Sequence, residues 1–491
     1  MRLQDFLDHW ARERPGAEFA TATEGSLTWG EAAALANRLA GRLHAVGCRR
    51  VAVVARNSLW YPLLYWAAAK AGAVVVPVNW RLAPREWAAI LEDAEPSVLI
   101  ADGEHAEALG DAGGVEHVVS GEALERWLSE GPATPPDVPV EAGDPLWQMY
   151  TSGTTGTPKG AVVSHGAVAA NLVQVGLALP VAPGERGLVV LPMFHAAVIP
   201  TVFAVLCRGG SIVVCDAFDP EETVRRLERE RITIATLVPT MLQACLDVAP
   251  GRYERLRTIH YGAAPIAEAT LRRAVEAFGC DFVQSYGMTE SAQALTFLSA
   301  ADHVLALDRR PELLLSAGRA AAGTTLRIED REIVARGPQL MTGYWRRPEA
   351  TEETLAGGWL HTGDAGRIDD DGYVFVEDRI KDLVVSGGEN VYPRVVEDVL
   401  FQHPGIAEAA VIGVPDARWG EAVKAVVALR AGTECSEEQI IDFCRARLAG
   451  FERPRSVDFV DSLPKTATGK VLKRVLRERY WAGRARRVSG A

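Results

Sequence analysis

The stretch Tyr150-Thr151-Ser152-Gly153-Thr154-Thr155-Gly156-Thr157-Pro158-Lys159-Gly160 interleaves Ser/Thr hydroxyls with glycines and closes on a lysine. Glycine admits the tight, partly left-handed path that turns successive backbone N–H groups inward. Such a run makes an anion-binding concavity, to which hydroxyls and one ammonium add donors. A phosphate chain is its natural occupant. The lysine follows Pro158 and precedes Gly160, so this is not the G-x-x-x-x-G-K-[ST] loop that opens onto a helix. A flexible linker of the same composition is the bland alternative. The apolar, strand-like residues on either side, Leu146 to Tyr150 and Ala161 to Val163, argue against it.

Other clusters add matching chemistry. His260-Tyr261-Gly262-Ala263-Ala264-Pro265 follows a strand-like run, and a glycine there lets a planar ring approach the backbone. Gln284-Ser285-Tyr286-Gly287-Met288-Thr289-Glu290 ends another strand. In it Tyr286 offers a stacking face, Thr289 a hydroxyl, and Glu290 a carboxylate suited to Mg²⁺ beside a triphosphate. Asp364, after a glycine turn, suits two neighbouring ribose hydroxyls, because a carboxylate accepts through both oxygens. In Asp378-Arg379-Ile380-Lys381-Asp382, Arg379 presents a planar donor fork for ribose or phosphate. Taken alone, such a charged run is a salt-bridged turn. Lys470 closes Pro464-Lys465-Thr466-Ala467-Thr468-Gly469-Lys470 at a helix start, from which its ammonium reaches away from its own domain. Asp369 to Tyr373 lacks the spacing of a calcium loop and reads as an Asp-Gly hairpin turn. No G-x-S-x-G nucleophile elbow occurs, which counts against a hydrolase.

These groups need elements to hold them. Helix-like Ala32 to Val46 stops at Gly47, and the apolar runs Arg50 to Arg56, Val74 to Val78 and Val98 to Ala101 each follow a helical stretch. That alternation predicts strand–helix units and a largely parallel sheet. The proline-rich stretch Gly131 to Pro145 delivers the chain to the anion loop. Beyond it, His165 to Leu179, Pro220 to Arg231 and Ala267 to Phe278 read as helices. Leu188 to Leu191, Ser211 to Val214, Ile234 to Val238, Thr258 to Tyr261 and Phe282 to Tyr286 read as strands. Past Leu355 short strands and turns take over, and from Pro393 a compact unit follows. It has helices near 394–402, 436–449 and 470–482 and strands near 408–414, 422–429 and 457–460. The expected fold is α/β: a large N-terminal domain, 1–380, of strand–helix units with mixed and parallel sheets, and a small α+β C-terminal domain, 381–491, joined at Lys381.

Composition sets outer bounds. A chain of 491 residues, 48% hydrophobic and 24% charged, suits a soluble globular protein of more than one domain. The net charge of −12 argues against non-specific nucleic-acid binding. Phe451 to Ala491 nevertheless holds eleven Lys/Arg against four Asp/Glu, either a solvated face or one meeting an anionic ligand or a membrane surface. Seven cysteines without a C-x-x-C pair suit reduced thiols in a cytoplasmic protein. Met1 to Pro15 has no apolar signal core. Gly187 to Cys207 is uncharged and long enough to span a bilayer, but Pro192 and Pro200 split it into a buried strand, loop and helix.

Taken in order, the glycine-rich loop, Tyr-Gly-Met-Thr-Glu, Thr-Gly-Asp, Asp-Arg-x-Lys-Asp, Ser-Gly-Gly-Glu-Asn and Pro-Lys-x-x-x-Gly-Lys resemble the adenylate-forming superfamily. The likeness runs from about Ser26 to Arg474 and is nearest to the fatty-acyl-CoA synthetase branch. It implies roles. Thr151, Ser152, Gly153, Thr154, Thr155, Gly156 and Lys159 hold ATP phosphates. Gly262, Ala263 and Ala264, with Ser285, Tyr286, Gly287, Met288 and Thr289, enclose adenine. Glu290, with Thr151, holds Mg²⁺; Asp364 and Arg379 hold ribose. Lys381 is the hinge of a mobile lid, and Lys470 drives adenylation. Phe194-His195 matches an aromatic-His gate between carboxylate and thiol tunnels, although a lone His after a strand is more often packed than catalytic. Ser386-Gly387-Gly388 and Arg418-Trp419-Gly420 match positions lining a pantetheine channel. The Thr325 to Ile333 hairpin is shorter than most relatives carry.

The implied reaction joins a carboxylate to ATP, giving acyl-AMP and pyrophosphate, and then passes the acyl group to coenzyme A. The acyl-pocket positions His195, Val198, Val238, Gly262, Tyr286 and Gly287 include no Arg or Lys to pair a second carboxylate. An apolar monocarboxylic acid is therefore expected, aliphatic ahead of aromatic. The alternatives are an aromatic or cinnamic-type acid–CoA ligase, an adenylating domain that loads a carrier protein, and a silent nucleotide- or carboxylate-binding regulator. The expected partners are small molecules and not nucleic acid, with at most weak membrane-surface contact, for a monomer or homodimer.

Overall fold

The structure, a computed structural model, describes residues 1–110, 114–151, 158–179, 181–248, 251, 253–264, 266–430, 432–465 and 471–482. Ser152, Gly153, Thr154, Thr155 and Gly156 of the anion loop, and Lys470, lie outside the described residues. The chain divides into two compact units. The first holds Met1–Ala263, Thr270–Thr325 and Ala335–Leu360, and the second Ala264–Ala269, Leu326–Val334 and His361–Ala491.

The first unit is built on two sheets. One has seven strands in the order Gly343–Tyr344, Lys159–Ser164, Pro145–Thr151, Val74–Pro77, Arg50–Val54, Val98–Ala101, His117–Val119. The strands Val74–Pro77, Arg50–Val54 and Val98–Ala101 are parallel and almost wholly buried, so they read as unbroken valine-rich runs instead of alternating ones. The other has nine strands in the order Arg319–Ala320, Thr296–Leu298, Asp281–Tyr286, Thr258–Gly262, Ile234–Leu237, Arg186–Val189, Ser211–Val214, Glu18–Ala22, Gly25–Thr28. Five consecutive members, from Asp281–Tyr286 to Ser211–Val214, run parallel, which brings their carboxyl ends to one edge. In open α/β sheets that edge is where ligands bind.

Local chemistry sets the helices between strands. Trp29–Ala45 starts at a capping box in which the Thr28 hydroxyl accepts from the Glu31 N–H and the Glu31 carboxylate accepts from the Thr28 N–H. Pro220–Arg229 starts at Asp219, whose carboxylate accepts from the Glu222 N–H at 2.8 Å. The uncharged run from Gly187 folds as expected into the strand Arg186–Val189, a loop and the helix Ile199–Leu206. Among the described residues no helix is long and apolar enough to cross a membrane.

The second unit carries a four-stranded sheet, ordered Thr325–Glu329, Glu332–Arg336, Leu360–Ile368, Val374–Arg379, and a five-stranded one. The latter pairs the long antiparallel strands Ile406–Asp416 and Gly420–Leu429, with Val384–Ser386, Glu389–Val391 and Ser456–Phe459 alongside. Helices Pro393–Leu400, Glu437–Arg445 and Lys473–Trp481 cover its apolar faces. The boundary expected at Lys381 lies inside this unit. Arg394 ties the hairpin ahead of Lys381 to the helix Pro393–Leu400. Its N–H donates to Asp378 Oδ2 at 2.9 Å and its guanidinium to the Val376 carbonyl at 3.3 Å.

Candidate active site

In the first unit the ladder of Pro145–Thr151 and Lys159–Ser164 sets Thr151 opposite Lys159 and Tyr150 opposite Gly160. The glycine-rich stretch is therefore closed at its base by adjacent strands. Gly343–Tyr344 adds to the outer edge, with Tyr344 opposite Ala161 and Gly343 opposite Val162. That register gives Tyr344 two contacts. Its hydroxyl donates to Glu290 Oε1 at 2.6 Å, and its ring lies 5.2 Å from the Lys159 ammonium.

Glu290 is only 5% exposed, and the Met341 N–H anchors its backbone carbonyl at 2.8 Å. A carboxylate so buried needs partners. The Tyr344 phenol occupies one oxygen, while Oε2 receives no hydrogen bond from the described residues. No cluster of three or more His, Cys, Asp or Glu able to hold a metal occurs among the described residues. One carboxylate with an open oxygen fits Mg²⁺, which keeps its waters and takes phosphate oxygens where other ions need an all-protein cage. Thr151, half-buried at the mouth of the same hairpin, is the second expected donor.

The carboxyl ends of Thr258–Gly262 and Asp281–Tyr286 lie side by side, with Gly262 opposite Ser285. A Cβ on Gly262 would meet the Ser285 carbonyl oxygen at 2.4 Å, and one on Gly287 would meet that of Gln293 at 2.1 Å. Glycine at both positions is a packing requirement that leaves the backbone bare beside the strand ends. Ala263 takes the left-handed φ of 64°, an uncommon conformation for a residue with a Cβ. Tyr286, Gly287, Met288 and Thr289 are half-buried along the same edge, and Val198 and Val238 are buried. Ala264 falls in a segment of the second unit and is not grouped with them.

His195 follows the strand Arg186–Val189 in a loop that is firmly held. Asn57 donates to the Leu191 and Cys215 carbonyls and accepts from the Met193 N–H, and the Tyr65 hydroxyl donates to the Met193 carbonyl. The His195 Nδ1 accepts the Ala197 N–H at 3.1 Å, which sets the ring orientation and puts the proton on Nε2.

In the second unit Asp364 and Arg379 face each other across the hairpin ladder, with Arg379 Nε 2.7 Å from Asp364 Oδ1. Arg379 Nη1 also donates to the Thr362 carbonyl at 3.1 Å. The two residues expected to hold ribose are thus paired with each other. Ser386 bridges to Gly420, and the Gly387 N–H donates to the Trp419 carbonyl at 2.8 Å. A Cβ on Gly387 would meet the Trp419 ring at 2.6 Å. Gly388, the next turn residue, has a φ of 90°. Arg418 and Arg455 lie 4.6 and 5.3 Å from the Trp419 ring, and Asp416 Oδ1 accepts from the Arg418 and Trp419 N–H groups. Lys381 sits in the turn Ile380–Asp382, where desolvation, then Arg379 and Arg477, lower its ammonium pKa against the opposing pull of Asp382.

Sequence reasoning missed Tyr344, Gln293 and Arg455 beside Trp419. Tyr344 stands in a two-residue strand, too short for any periodic signal. Gln293 lies three residues past Glu290, in an apolar stretch that reads as plain core.

The family model described as "AMP-binding enzyme" matches residues 7–345, and "AMP-binding enzyme C-terminal domain" matches residues 395–470. A feruloyl-CoA synthase of Amycolatopsis sp is 42% identical, covering 96% of this chain and 97% of that one. A long-chain-fatty-acid–CoA ligase of Mycobacterium tuberculosis is 37% identical over 94% of each. Among solved structures, o-succinylbenzoate CoA synthetase of Bacillus subtilis, in complex with its acyl-adenylate intermediate, is 29% identical with a TM-score of 0.87, covering 96% of this chain and 97% of that one. ATP-bound MatB of Rhodopseudomonas palustris is 30% identical with a TM-score of 0.88, covering 98% and 99%. The paired strand ends, the buried glutamate beside the lysine-closed hairpin and the Asp–Arg pair thus have their context: the chain belongs to the AMP-binding enzyme family and is an ATP-dependent acid–thiol ligase of the adenylate-forming superfamily.

Proposed function

We propose that the protein activates an apolar monocarboxylic acid as its acyl-adenylate and transfers the acyl group to coenzyme A. The observation that carries this reading is the Glu290–Tyr344–Lys159 cluster, which sets an available carboxylate oxygen and an ammonium around one phenol at the base of the phosphate-type loop. A substrate carboxylic acid, with a pKa of about 4–5 like that of Glu, arrives ionised and needs no general base. Adenylation then rests on positioning and charge neutralisation. Lys159, the loop hydroxyls and Lys470 act on the phosphates, and Asp364 and Arg379 on the ribose. Mg²⁺ held by Glu290 neutralises phosphate charge when bound.

In the second half-reaction the coenzyme A thiol attacks the activated carbonyl and AMP leaves. A free thiol titrates at about 8.5, and the guanidinium groups of Arg418 and Arg455 beside Trp419 favour its thiolate. Lys381 is the point at which a swing of the C-terminal region between half-reactions is absorbed, and His195 gates the meeting of the two substrates.

An aromatic acid is the second reading. The feruloyl-CoA synthase at 42% identity supports it at least as well as the fatty-acid ligase at 37% supports an aliphatic one. The test is incubation with Mg²⁺, ATP, coenzyme A and a panel of aliphatic and aromatic acids, read as released pyrophosphate and as acyl-CoA by mass. Acid-dependent pyrophosphate with acyl-CoA is the expected result. Its absence across the panel removes the proposal.

A further inference from the structure

A file of uncharged polar groups runs through the first unit towards the strand ends. The Thr201 and Thr236 hydroxyls are hydrogen-bonded to each other. Thr236 Oγ1 lies 3.3 Å from His260 Nδ1, His260 Nε2 lies 2.8 Å from Ser285 Oγ, and Gln293 Nε2 donates to Ser285 Oγ at 2.6 Å. All five residues are more than nine-tenths buried, Gln293 at 8% exposure. Burial pushes the His260 imidazole down to about 3, so the ring is neutral, with one N–H and one lone pair. Protons along the file therefore point in one direction. The Gln293 amide meets Ser285 through its nitrogen, which suits the tautomer in which the Ser285 hydroxyl donates to His260. The file ends on the Gln293 carbonyl oxygen, and Oε1 has no hydrogen-bond partner among the described residues.

Gln4 Oε1 and Asn171 Oδ1 are likewise buried without a partner among the described residues. Gln339, buried nearby, uses both ends of its amide: Nε2 donates to the Ala294 carbonyl and Oε1 accepts from Gln174. Buried acceptors without a donor are costly and rare in native proteins. The place of this one matters. Ser285, to which the amide nitrogen donates, stands opposite Gly262, and the Gln293 backbone carbonyl packs against Gly287. Both glycines belong to the set assigned to the acyl pocket, whose other members are apolar or half-buried.

We infer that the Gln293 carbonyl oxygen is a specificity element that selects carboxylic acids bearing a hydrogen-bond donor, a hydroxyl or N–H, over the same acids without it. The inference rests on the acid–thiol ligase reading and deepens it, from an apolar acid to an apolar acid with one donor. A site built to bond a substrate hydroxyl rejects the analogue lacking it, because binding that analogue leaves the amide unpaired and dry.

The test uses cinnamic, para-hydroxycinnamic and para-methoxycinnamic acids, together with an ω-hydroxy fatty acid and its parent. Pyrophosphate release gives kcat/KM, and thermal-shift titration of each acid with the intact protein gives binding independent of turnover. On at least one scaffold the hydroxy acid is expected to exceed its parent by about 10- to 100-fold. The methyl ether, an acceptor only, gains nothing. In Gln293→Met, which keeps the length but not the amide, the ratio falls towards one, carried mainly by KM. Gln293→Leu serves as a second variant if the first is unstable. A wild-type ratio near one on both scaffolds overturns the inference, as does a ratio that survives in the variants. A methyl ether as good as the hydroxyl overturns the assignment of the carbonyl as the open end. If no acid is turned over, the ligase proposal fails by itself and the binding ratios still decide this one.

Discussion

Tyr344 does at residue scale what no motif in the chain advertises. By holding Glu290 Oε1 at 2.6 Å it orients the open oxygen, and its ring sits against the ammonium of Lys159. Tyr344→Phe keeps the ring and deletes one charge-assisted hydrogen bond, worth about 1.5–3 kcal/mol. Adenylation is expected to slow by about 10- to 100-fold, with a raised Mg²⁺ requirement that outlasts any loss of thermal stability. A variant with wild-type pyrophosphate exchange at limiting Mg²⁺ removes the orienting role. His260 makes a second residue-scale prediction. Its folded pKa of about 3 lies below the ordinary 6.5, so between these values the unfolded chain binds the extra proton. The stability is complete above pH 6.5 and falls as pH drops through that window. One buried imidazole contributes up to about 1.4 kcal/mol per pH unit. Urea unfolding between about pH 7 and 5 should show that slope, and His260→Gln should flatten it relative to wild type. An unchanged slope in the variant would place the proton elsewhere.

At the scale of elements, the helix Lys473–Trp481 is fixed by charge as well as by apolar packing. Lys473, its first residue, is buried with its ammonium 2.8 Å from Glu397 and 3.9 Å from Asp378. Arg477, one turn on, lies 2.7 Å from Asp382. Removing one partner of a buried pair strands the other charge, at a cost of about 3–5 kcal/mol, whereas replacing both by apolar residues is far milder. Lys473→Met is expected to destabilise the second unit by that amount, seen as earlier urea unfolding or faster proteolysis. Lys473→Met with Glu397→Leu should recover part of the loss. A single variant costing less than about 1 kcal/mol would mean that water already reaches the pair.

For the whole molecule, the two compact units carry different parts of the proposed chemistry. Thr151, Lys159, Glu290 and the strand ends of Tyr286 and Gly262 belong to the first, and Asp364, Arg379 and the Ser386–Trp419 corner to the second. Lys470, assigned to adenylation, should act in one half-reaction only. Lys470→Ala is expected to lower ATP–pyrophosphate exchange by at least about 100-fold while sparing thioester formation from supplied acyl-AMP. Lys381→Pro, which stiffens the proposed hinge, should do the reverse. Equal losses in both assays for either variant would end this division of labour.

The residues alone pointed to the candidate groups that lie within one turn or one strand end. Thr289-Glu290, Gly363-Asp364 and the Gly387-Gly388 turn are legible because glycine conformations and neighbouring donors act over a few bonds. The buried strands were legible too, since parallel strands covered on both faces become unbroken apolar runs such as Val74–Pro77. What only the tertiary structure decided is pairing at a distance. Tyr344 and Glu290 are 54 positions apart, and they meet because Gly343–Tyr344 joins the sheet edge in one particular register. His361–Ile380 is likewise joined to the C-terminal segment by contacts at a distance, among them the Arg394 N–H on Asp378. The open end of Gln293 exists only where three strands bring His260, Ser285 and Thr236 into line. Register and strand order are properties of the packed sheet, and a linear pattern of side chains does not contain them.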